Sequence, residues 1–177
     1  MRGEKMIIEL KKLSIEQASD FWELAFSDSE ADWTKWNGPY FYDVLPSKKE
    51  FECSDNEYIE NPFRKVIWVE KKMVGMVFAY YEDKPINRWL DIGISIYDHS
   101  KWNSGIGTSA LKLWVNELFD QVDLPHIGLT TWSGNEGMLR VAEKIGFQKE
   151  AQVRKVRYWK GCYWDSIKYG VLRSEWL

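Results

Sequence analysis

Residues 101–108, Lys-Trp-Asn-Ser-Gly-Ile-Gly-Thr, decide the fold of this chain. They follow a strand-like run over residues 90–97 and open a helix-like run over residues 108–120. Gly105 and Gly107 let the backbone come close to a ligand, and the free N–H groups at a helix start point at its anionic oxygens. This succession of strand, glycine loop and helix predicts a site that holds a pyrophosphate.

The composition of the chain limits the classes of protein to which it can belong. The chain has 177 residues, 45% of them apolar and 29% charged, which predicts one soluble globular domain spanning residues 1–177. The net charge of −3, without a basic block, does not favour nucleic acid. No apolar run is long enough for a membrane span or a signal peptide, so we expect neither a membrane partner nor export.

Cysteine and histidine are sparse and isolated. Cys53 and Cys162 form no Cys-x-x-Cys pair, and His99 and His126 share no helical spacing. The sequence therefore predicts no metal site, and a reducing cytoplasm is the simplest location.

Hydrophobic periodicity predicts an α+β fold with the order β-α-α-β-β-β-α-β-α-β-β. Such an order is typical of a mostly antiparallel, mixed sheet of about seven strands with helices on both faces. The predicted strands are residues 6–10, 66–69, 73–81, 90–97, 126–132, 147–159 and 163–172, and the predicted helices are residues 15–26, part of 47–58, 108–120 and 135–145.

Three passages together resemble the GNAT superfamily of acyl-CoA-dependent N-acyltransferases. The first is Leu-Asp-Ile-Gly-Ile-Ser-Ile over residues 90–96, together with the following loop and helix start. The second is Asn135 together with Arg-Val-Ala-Glu-Lys-Ile-Gly-Phe over residues 140–147. The third is residues 161–166 together with Glu175 and Trp176. The likeness covers nearly the whole chain. Within the superfamily, the branch that acetylates N-terminal amines of ribosomal proteins is the most similar.

The resemblance implies a GNAT-like fold and direct transfer of an acetyl group from acetyl-CoA to a primary amine. The loop would hold the pyrophosphate, the strand before it would pair with the pantetheine arm, and Asn135 would contact the same arm. The alternative for Asn135 is simple capping of a helix, to which asparagine is suited. The implied cofactor-binding residues are Ile94, Ser95, Ile96, Tyr97, Trp102, Asn103, Ser104, Gly105, Ile106, Gly107, Thr108 and Asn135.

Two positions depart from the common superfamily pattern. Trp102 stands where many members have Gln or Arg, although Trp is frequent there in the ribosomal-protein branch. Ala142 stands where many relatives carry a tyrosine as general acid, so the identity of the acid is left open. Tyr97, Tyr158 and Tyr163 are candidates for it, with core or cross-strand packing as the alternative.

Asp91 is the candidate catalytic base. A primary amine is mostly protonated at neutral pH, so a base has to take its proton before it attacks. Asp91 lies in mid-strand on the face opposite Leu90 and Ile92, where relatives often place a carboxylate. The alternative is an exposed strand residue that faces solvent.

The acceptor side is predicted in residues 28–43. Four acidic residues there alternate with aromatic residues, an arrangement that suits a cationic amine, and Trp33, Trp36 and Tyr40 are the predicted acceptor-binding residues. The alternative is that the rings cover the sheet and the carboxylates face water.

Three functions follow from these features. The first is a cytoplasmic N-acetyltransferase acting on a protein or peptide N-terminus, or on a small amine such as a polyamine, an amino acid or an aminoglycoside. The second, suggested by Ala142, is a non-catalytic CoA-binding regulatory module. The third is an interaction domain with a surface rich in its eleven tryptophans. The sequence does not determine which amine is the acceptor, whether an antibiotic is the target, or whether the protein forms a homodimer.

Overall fold

The computed structural model describes residues 6–53 and 55–176 of the chain. Within them the predicted order of strands and helices is confirmed. The elements are β1 (Ile8–Lys11), α1 (Ala18–Ala25), α2 (Lys48–Phe51), β2 (Arg64–Val69), β3 (Lys72–Tyr81), β4 (Leu90–Ile96), α3 (Ile106–Gln121), β5 (His126–Trp132), α4 (Glu136–Ile145), β6 (Gln148–Trp159) and β7 (Cys162–Leu172).

The described strands form one seven-stranded sheet in the order β1-β2-β3-β4-β5-β7-β6. All neighbouring pairs are antiparallel except β4 and β5, so the prediction of a mostly antiparallel, mixed sheet is confirmed. The parallel pair is short, because only residues 90–92 of β4 pair with residues 127–129 of β5. Beyond these three pairs the two strands separate, and a gap opens between residues 93–96 and residues 130–132.

Apolar clusters cover both faces of the sheet. On one face α3 and α4 pack against it, and the predicted inward residues Leu111, Trp114, Val115 and Leu118 of α3 are fully buried. On the other face α1 and α2 bury Phe21 and Phe51 in a separate cluster. The predicted helices on both faces are therefore confirmed. The second face also carries residues 28–43, the predicted acceptor side, which we call the acceptor-side loop.

Local turn chemistry accounts for the differences from the predicted elements. The helix expected within residues 47–58 is only the single turn of α2, which begins with a capping box between Ser47 and Glu50. After the helix, the side chain of Asn56 donates to the carbonyl of Phe51 and accepts the N–H of Tyr58, so a turn stands where a further helical turn was possible. Residues 28–43 contain two 3-10 turns, Asp32–Lys35 and Pro39–Phe41.

Within residues 6–53 and 55–176, no helix has the length and apolar composition needed to cross a bilayer. The same residues contain no group of three or more His, Cys, Asp and Glu side chains placed to hold a metal ion. Cys53 and Cys162 are both exposed and free.

Candidate active site

The loop between β4 and α3 is fixed by side-chain hydrogen bonds at its start. Asp98 Oδ1 accepts the N–H of Ser100 at 3.0 Å and its hydroxyl at 2.6 Å. The indole of Trp102 donates to the carbonyl of Ile96 at 2.9 Å, which ties the loop to the end of β4. Trp102, the residue that departs from the common superfamily pattern, therefore serves to position the loop.

The second half of the loop presents unused N–H groups at the start of α3. The first backbone hydrogen bond there runs from Ser109 to the carbonyl of Gly105, and the N–H groups of residues 103–108 donate to no group in the described part of the chain. Gly105 has φ of 84°, and a Cβ built there would meet nothing within 4 Å. A Cβ on Gly107 would meet only the Ile94 side chain at 3.9 Å. This open row of donors at a helix start fits a pyrophosphate.

The gap between β4 and β5 offers unpaired backbone groups. The N–H of Tyr97 donates to Val74 of β3, and backbone groups alternate in direction along a strand, so Ile94 and Ile96 direct theirs into the gap. The carbonyl of Ile96 is taken by Trp102. The Ile94 N–H and C=O and the Ile96 N–H remain for an extended ligand, while Ser95 and Tyr97 turn their side chains to the acceptor side.

Asn135 connects α4 to the acceptor-side loop. Its Oδ1 accepts the N–H of Met138 at 3.0 Å and caps α4, and its Nδ2 donates to the carbonyl of Trp36 at 3.2 Å. The indole of Trp132 donates to the same carbonyl at 3.1 Å. Helix capping is thus present, and the predicted contact of Asn135 with the cofactor remains a proposal.

Replacement of Asn135 separates capping from cofactor contact. We expect Asn135→Ala to lower the free energy of unfolding by about 1 kcal/mol through the lost cap, whereas Asn135→Ser restores the cap. Both variants lose the side-chain amide, so both should bind acetyl-CoA roughly 5- to 10-fold more weakly. Thermal unfolding and titration calorimetry measure the two effects. Wild-type affinity in Asn135→Ser would leave capping as the whole role.

Asp91 is buried, with 1% exposure, so the alternative that it faces solvent is wrong. Its Oδ2 accepts the hydroxyl of Thr130 at 2.8 Å and lies 3.4 Å from Lys168 Nζ. Lys168 also faces Glu82 at 3.8 Å. Gly128 makes room for the carboxylate, since a Cβ there would lie 2.4 Å from Oδ1. No group in the described residues donates to Oδ1, so this oxygen is available to accept a proton.

A cavity of about 260 Å³ lies on the acceptor side of β4. Its lining includes Ser95 and Tyr97 of the strand that borders the gap, and Trp33 of the acceptor-side loop. Trp33 is thus at the cavity, as expected for acceptor binding. Trp36 and Tyr40 lie outside its lining, where they hold the loop against β5 and β6.

The acidic residues of the acceptor-side loop face water. All four carboxylates are exposed and none lines the cavity, and Asp32 pairs with Lys35 at 2.6 Å. These four residues are Asp28, Glu30, Asp32 and Asp43. The structure therefore agrees with the alternative for the carboxylates, which are solvated. Of the rings, only Trp33 is buried, whereas Trp36, Phe41 and Tyr42 are exposed and do not cover the sheet.

The three candidate tyrosines differ in position. Tyr97 is packed against Phe21, Phe26 and Trp33, and burial raises the pKa of its phenol well above the ordinary value. Its side chain lines the cavity, and the raised pKa makes the phenol a weaker acid than an ordinary tyrosine. Tyr158 and Tyr163 are exposed and pack on each other in the β6–β7 hairpin, away from the cavity lining.

Sequence reasoning did not identify Arg64, Tyr80 or Lys168 as parts of the site. Arg64 and Tyr80 line the cavity, and burial together with the nearby Asp91 and Glu82 charges raises the pKa of the Tyr80 phenol. The alternation of β2 places Arg64 on the face of buried Val66, and that signal was present in the sequence. The contact of Lys168 with Asp91 spans 77 residues and had no local signal.

The loop, the gap and the cavity define a class of protein. A row of free N–H groups at a helix start, next to an unpaired strand edge, fits a long ligand with a pyrophosphate at one end, and the adjacent cavity has room for a second, smaller molecule.

Comparisons with known proteins agree with this class. The model of the acetyltransferase (GNAT) domain matches residues 8–148. N-acetyltransferase YokL of the SPbeta prophage in Bacillus subtilis, itself uncharacterized, is 27% identical over 121 residues, which are 67% of this chain and 67% of YokL. YdaF of Bacillus subtilis, named as a proposed ribosomal N-acetyltransferase, is 30% identical over 59% of this chain and 56% of its own length.

Among solved structures, the spermidine N-acetyltransferase of Vibrio cholerae in complex with CoA and spermine has the same fold. Its TM-score is 0.74 at 20% identity, and the match covers 96% of this chain and 97% of that one. The chain belongs to the GNAT acetyltransferase family, and the predicted resemblance is confirmed. It is an acetyl-CoA-dependent N-acetyltransferase, and acetyl-CoA is its acyl donor.

Proposed function

We propose that the chain acts as a single cytoplasmic domain that acetylates the primary amine of a peptide or protein N-terminus, or of a small molecule, bound in the cavity beside β4. One observation carries this proposal. The unpaired backbone of Ile94 and Ile96 and the cavity-lining side chains of Ser95 and Tyr97 belong to four consecutive residues at the end of β4. A donor held along the gap and an amine held in the cavity would therefore meet at β4.

The donor side of the reaction is built from backbone groups. The N–H groups of residues 103–108 would bind the pyrophosphate, with the dipole of α3 behind them. The Ile94 and Ile96 groups would pair with the pantetheine arm as an added strand. When bound, acetyl-CoA supplies a thioester carbonyl that a free amine attacks, and the CoA thiol leaves.

The acceptor amine must lose a proton, and we propose Asp91 as the group that takes it. Lys168 and Thr130 both contact Oδ2, which leaves Oδ1 as the oxygen that would accept the proton. Asp91 lies one residue before the end of the paired segment of β4, on the face that carries Ser95 and Tyr97. A water molecule relaying the proton would join the amine to Oδ1.

The proton for the leaving thiolate would come from Tyr97. Its position supports this role, since the side chain lines the cavity and the residue follows directly on the strand that would hold the thioester. This arrangement offers an acid in place of the tyrosine that is absent at Ala142.

Release of free CoA thiol tests the proposed function. The protein is incubated with acetyl-CoA and separate amines, which are N-terminal peptides, amino acids, polyamines and aminoglycosides, and the thiol is followed with a thiol-reactive dye. We expect amine-dependent release with at least one class. Calorimetric titration with acetyl-CoA is run in parallel, and binding without release on any of these amines would contradict the proposed acceptor classes.

A further inference from the structure

The cavity contains a cationic side chain that the reaction as described does not use. Arg64 is the first residue of β2, and its side chain is only 21% exposed. Its guanidinium lies over the ring of Tyr58 at 4.3 Å and near that of Phe78 at 5.8 Å. Both rings line the cavity with it, so the cation lies against the aromatic wall of the cavity.

Arg64 is incompletely paired. Its Nη2 lies 3.1 Å from Oε1 of Glu57, whose side chain is 70% exposed. A guanidinium has five N–H donors, and within the described residues no other acceptor is bonded to Arg64. The remaining donors are available to an oxygen anion in the cavity, for which a guanidinium offers a matching fork.

The cavity offers no carboxylate to balance a second positive charge. Arg64 is the one charged residue among the described residues of its lining, and the acidic residues of the nearby loop face solvent. A polyamine or aminoglycoside carries further ammonium groups, which Arg64 would repel. An acceptor with a negative group would instead complete the pairing of Arg64.

We propose that the acceptor is a small primary amine that carries a carboxylate, with Arg64 binding the carboxylate and the amine directed toward β4. This inference rests on the proposed use of the cavity for the acceptor. The volume of about 260 Å³ suits a molecule of amino-acid size, and the walls formed by Phe26, Trp33 and Phe78 suit an apolar side chain. The substrate class is therefore that of apolar or aromatic α-amino acids.

Matched acceptors test this inference. Phenylalanine and leucine are compared with their carboxamides and with their decarboxylated amines, and spermidine is included. Binding to the CoA-bound enzyme is measured by calorimetry, and thiol release from acetyl-CoA is measured separately. For the wild type, we expect the carboxylates to bind and react at least about 10-fold better than the carboxamides.

Variants at Arg64 test whether this side chain causes the preference for acceptors with a carboxylate. Arg64→Gln should weaken the binding of the carboxylates roughly 10- to 100-fold and the binding of the carboxamides less than about 3-fold. Arg64→Lys should retain part of the preference for carboxylates. Arg88→Gln is the matched control, since Arg88 lies in an exposed loop outside the cavity lining and should change nothing. Circular dichroism verifies that each variant is folded.

The outcomes separate this inference from the proposed function. Two results overturn the inference and leave the proposed function standing. The first is thiol release on spermidine or neutral amines with no preference for carboxylates, and the second is a carboxylate preference that survives in Arg64→Gln. Failure of both carboxylates to bind overturns it as well. Carboxylate binding that depends on Arg64 but gives no thiol release supports the inference and contradicts the proposed function.

Discussion

Gly105→Glu is expected to abolish acetyl-CoA binding, raising the dissociation constant more than about 100-fold. The new carboxylate would stand at the start of α3, among the N–H groups of residues 103–108. The protein itself leaves room for the side chain, because nothing lies within 4 Å of a Cβ at this position. The loss would therefore come from competition for the anion site and repulsion of the phosphates, rather than from a clash inside the protein.

The control for Gly105→Glu must reproduce its backbone strain and its charge. Gly161 has φ of 76° and the same open surroundings, but it lies in the β6–β7 hairpin turn. Both variants put glutamate where φ is positive, at a cost of about 1–2 kcal/mol. Titration calorimetry should find wild-type acetyl-CoA affinity in Gly161→Glu. If folded Gly105→Glu bound acetyl-CoA within threefold of the wild type, the loop would not be the phosphate site.

Asp91→Asn is expected to lower kcat at least about 100-fold with little change in acetyl-CoA affinity. The amide keeps the shape of the side chain and can still accept the hydroxyl of Thr130, but it cannot take a proton. The measurements are thiol release under saturating acetyl-CoA and calorimetric binding. Because the carboxylate faces Lys168, thermal unfolding is recorded to separate lost catalysis from lost stability.

Glu82→Gln is the matched control for Asp91→Asn. Glu82 Oε1 lies 3.8 Å from Nζ of the same lysine, so its replacement removes one negative charge beside Lys168 and leaves the proposed base in place. We expect its turnover to stay within a few-fold of the wild type. Equal losses in the two variants would mean that the charge around Lys168 matters and that Asp91 is not the base.

The pH dependence provides a second readout for Asp91. Free amines need no base, and their fraction rises as pH approaches the amine pKa, which is about 7.7–8.0 for an N-terminus. The activity of Asp91→Asn should therefore recover in part as pH is raised toward 9. A loss that stays constant across this range would point to a structural role.

Local pattern was sufficient to predict the arrangement of elements. The alternation of residues 90–96 and the helical face of Leu111, Trp114 and Leu118 set strand and helix where they are observed. The helix expected in part of residues 47–58 is present as the single turn of α2, and only its length was not predictable. Asn56 donates to the carbonyl of Phe51 and accepts the N–H of Tyr58, and the sequence alone did not reveal that competition with helical hydrogen bonds.

The proposed backbone part of the site and two of the side chains that line the cavity, Trp33 and Tyr97, were predictable from the sequence. Glycines before a helix indicate an anion-binding loop because their effect is local. The burial of Asp91 depends on Thr130 and Lys168, which reach it through β5 and β7. The loop position of Trp36 depends on Trp132 and Asn135, about a hundred residues away. Such contacts arise from the sheet order, which strand spacing does not reveal.

The short pairing of β4 with β5 would make the stability of the folded chain depend on a donor bound along the gap. Only three residue pairs join the two halves of the sheet, so the strand edges beyond them lack the partners that stabilise a continuous sheet. A ligand that bridges them binds the native state alone, and at 100 times its dissociation constant it adds about 2.7 kcal/mol to the unfolding free energy. Depletion of acetyl-CoA would then leave both less activity and a larger unfolded fraction exposed to proteolysis.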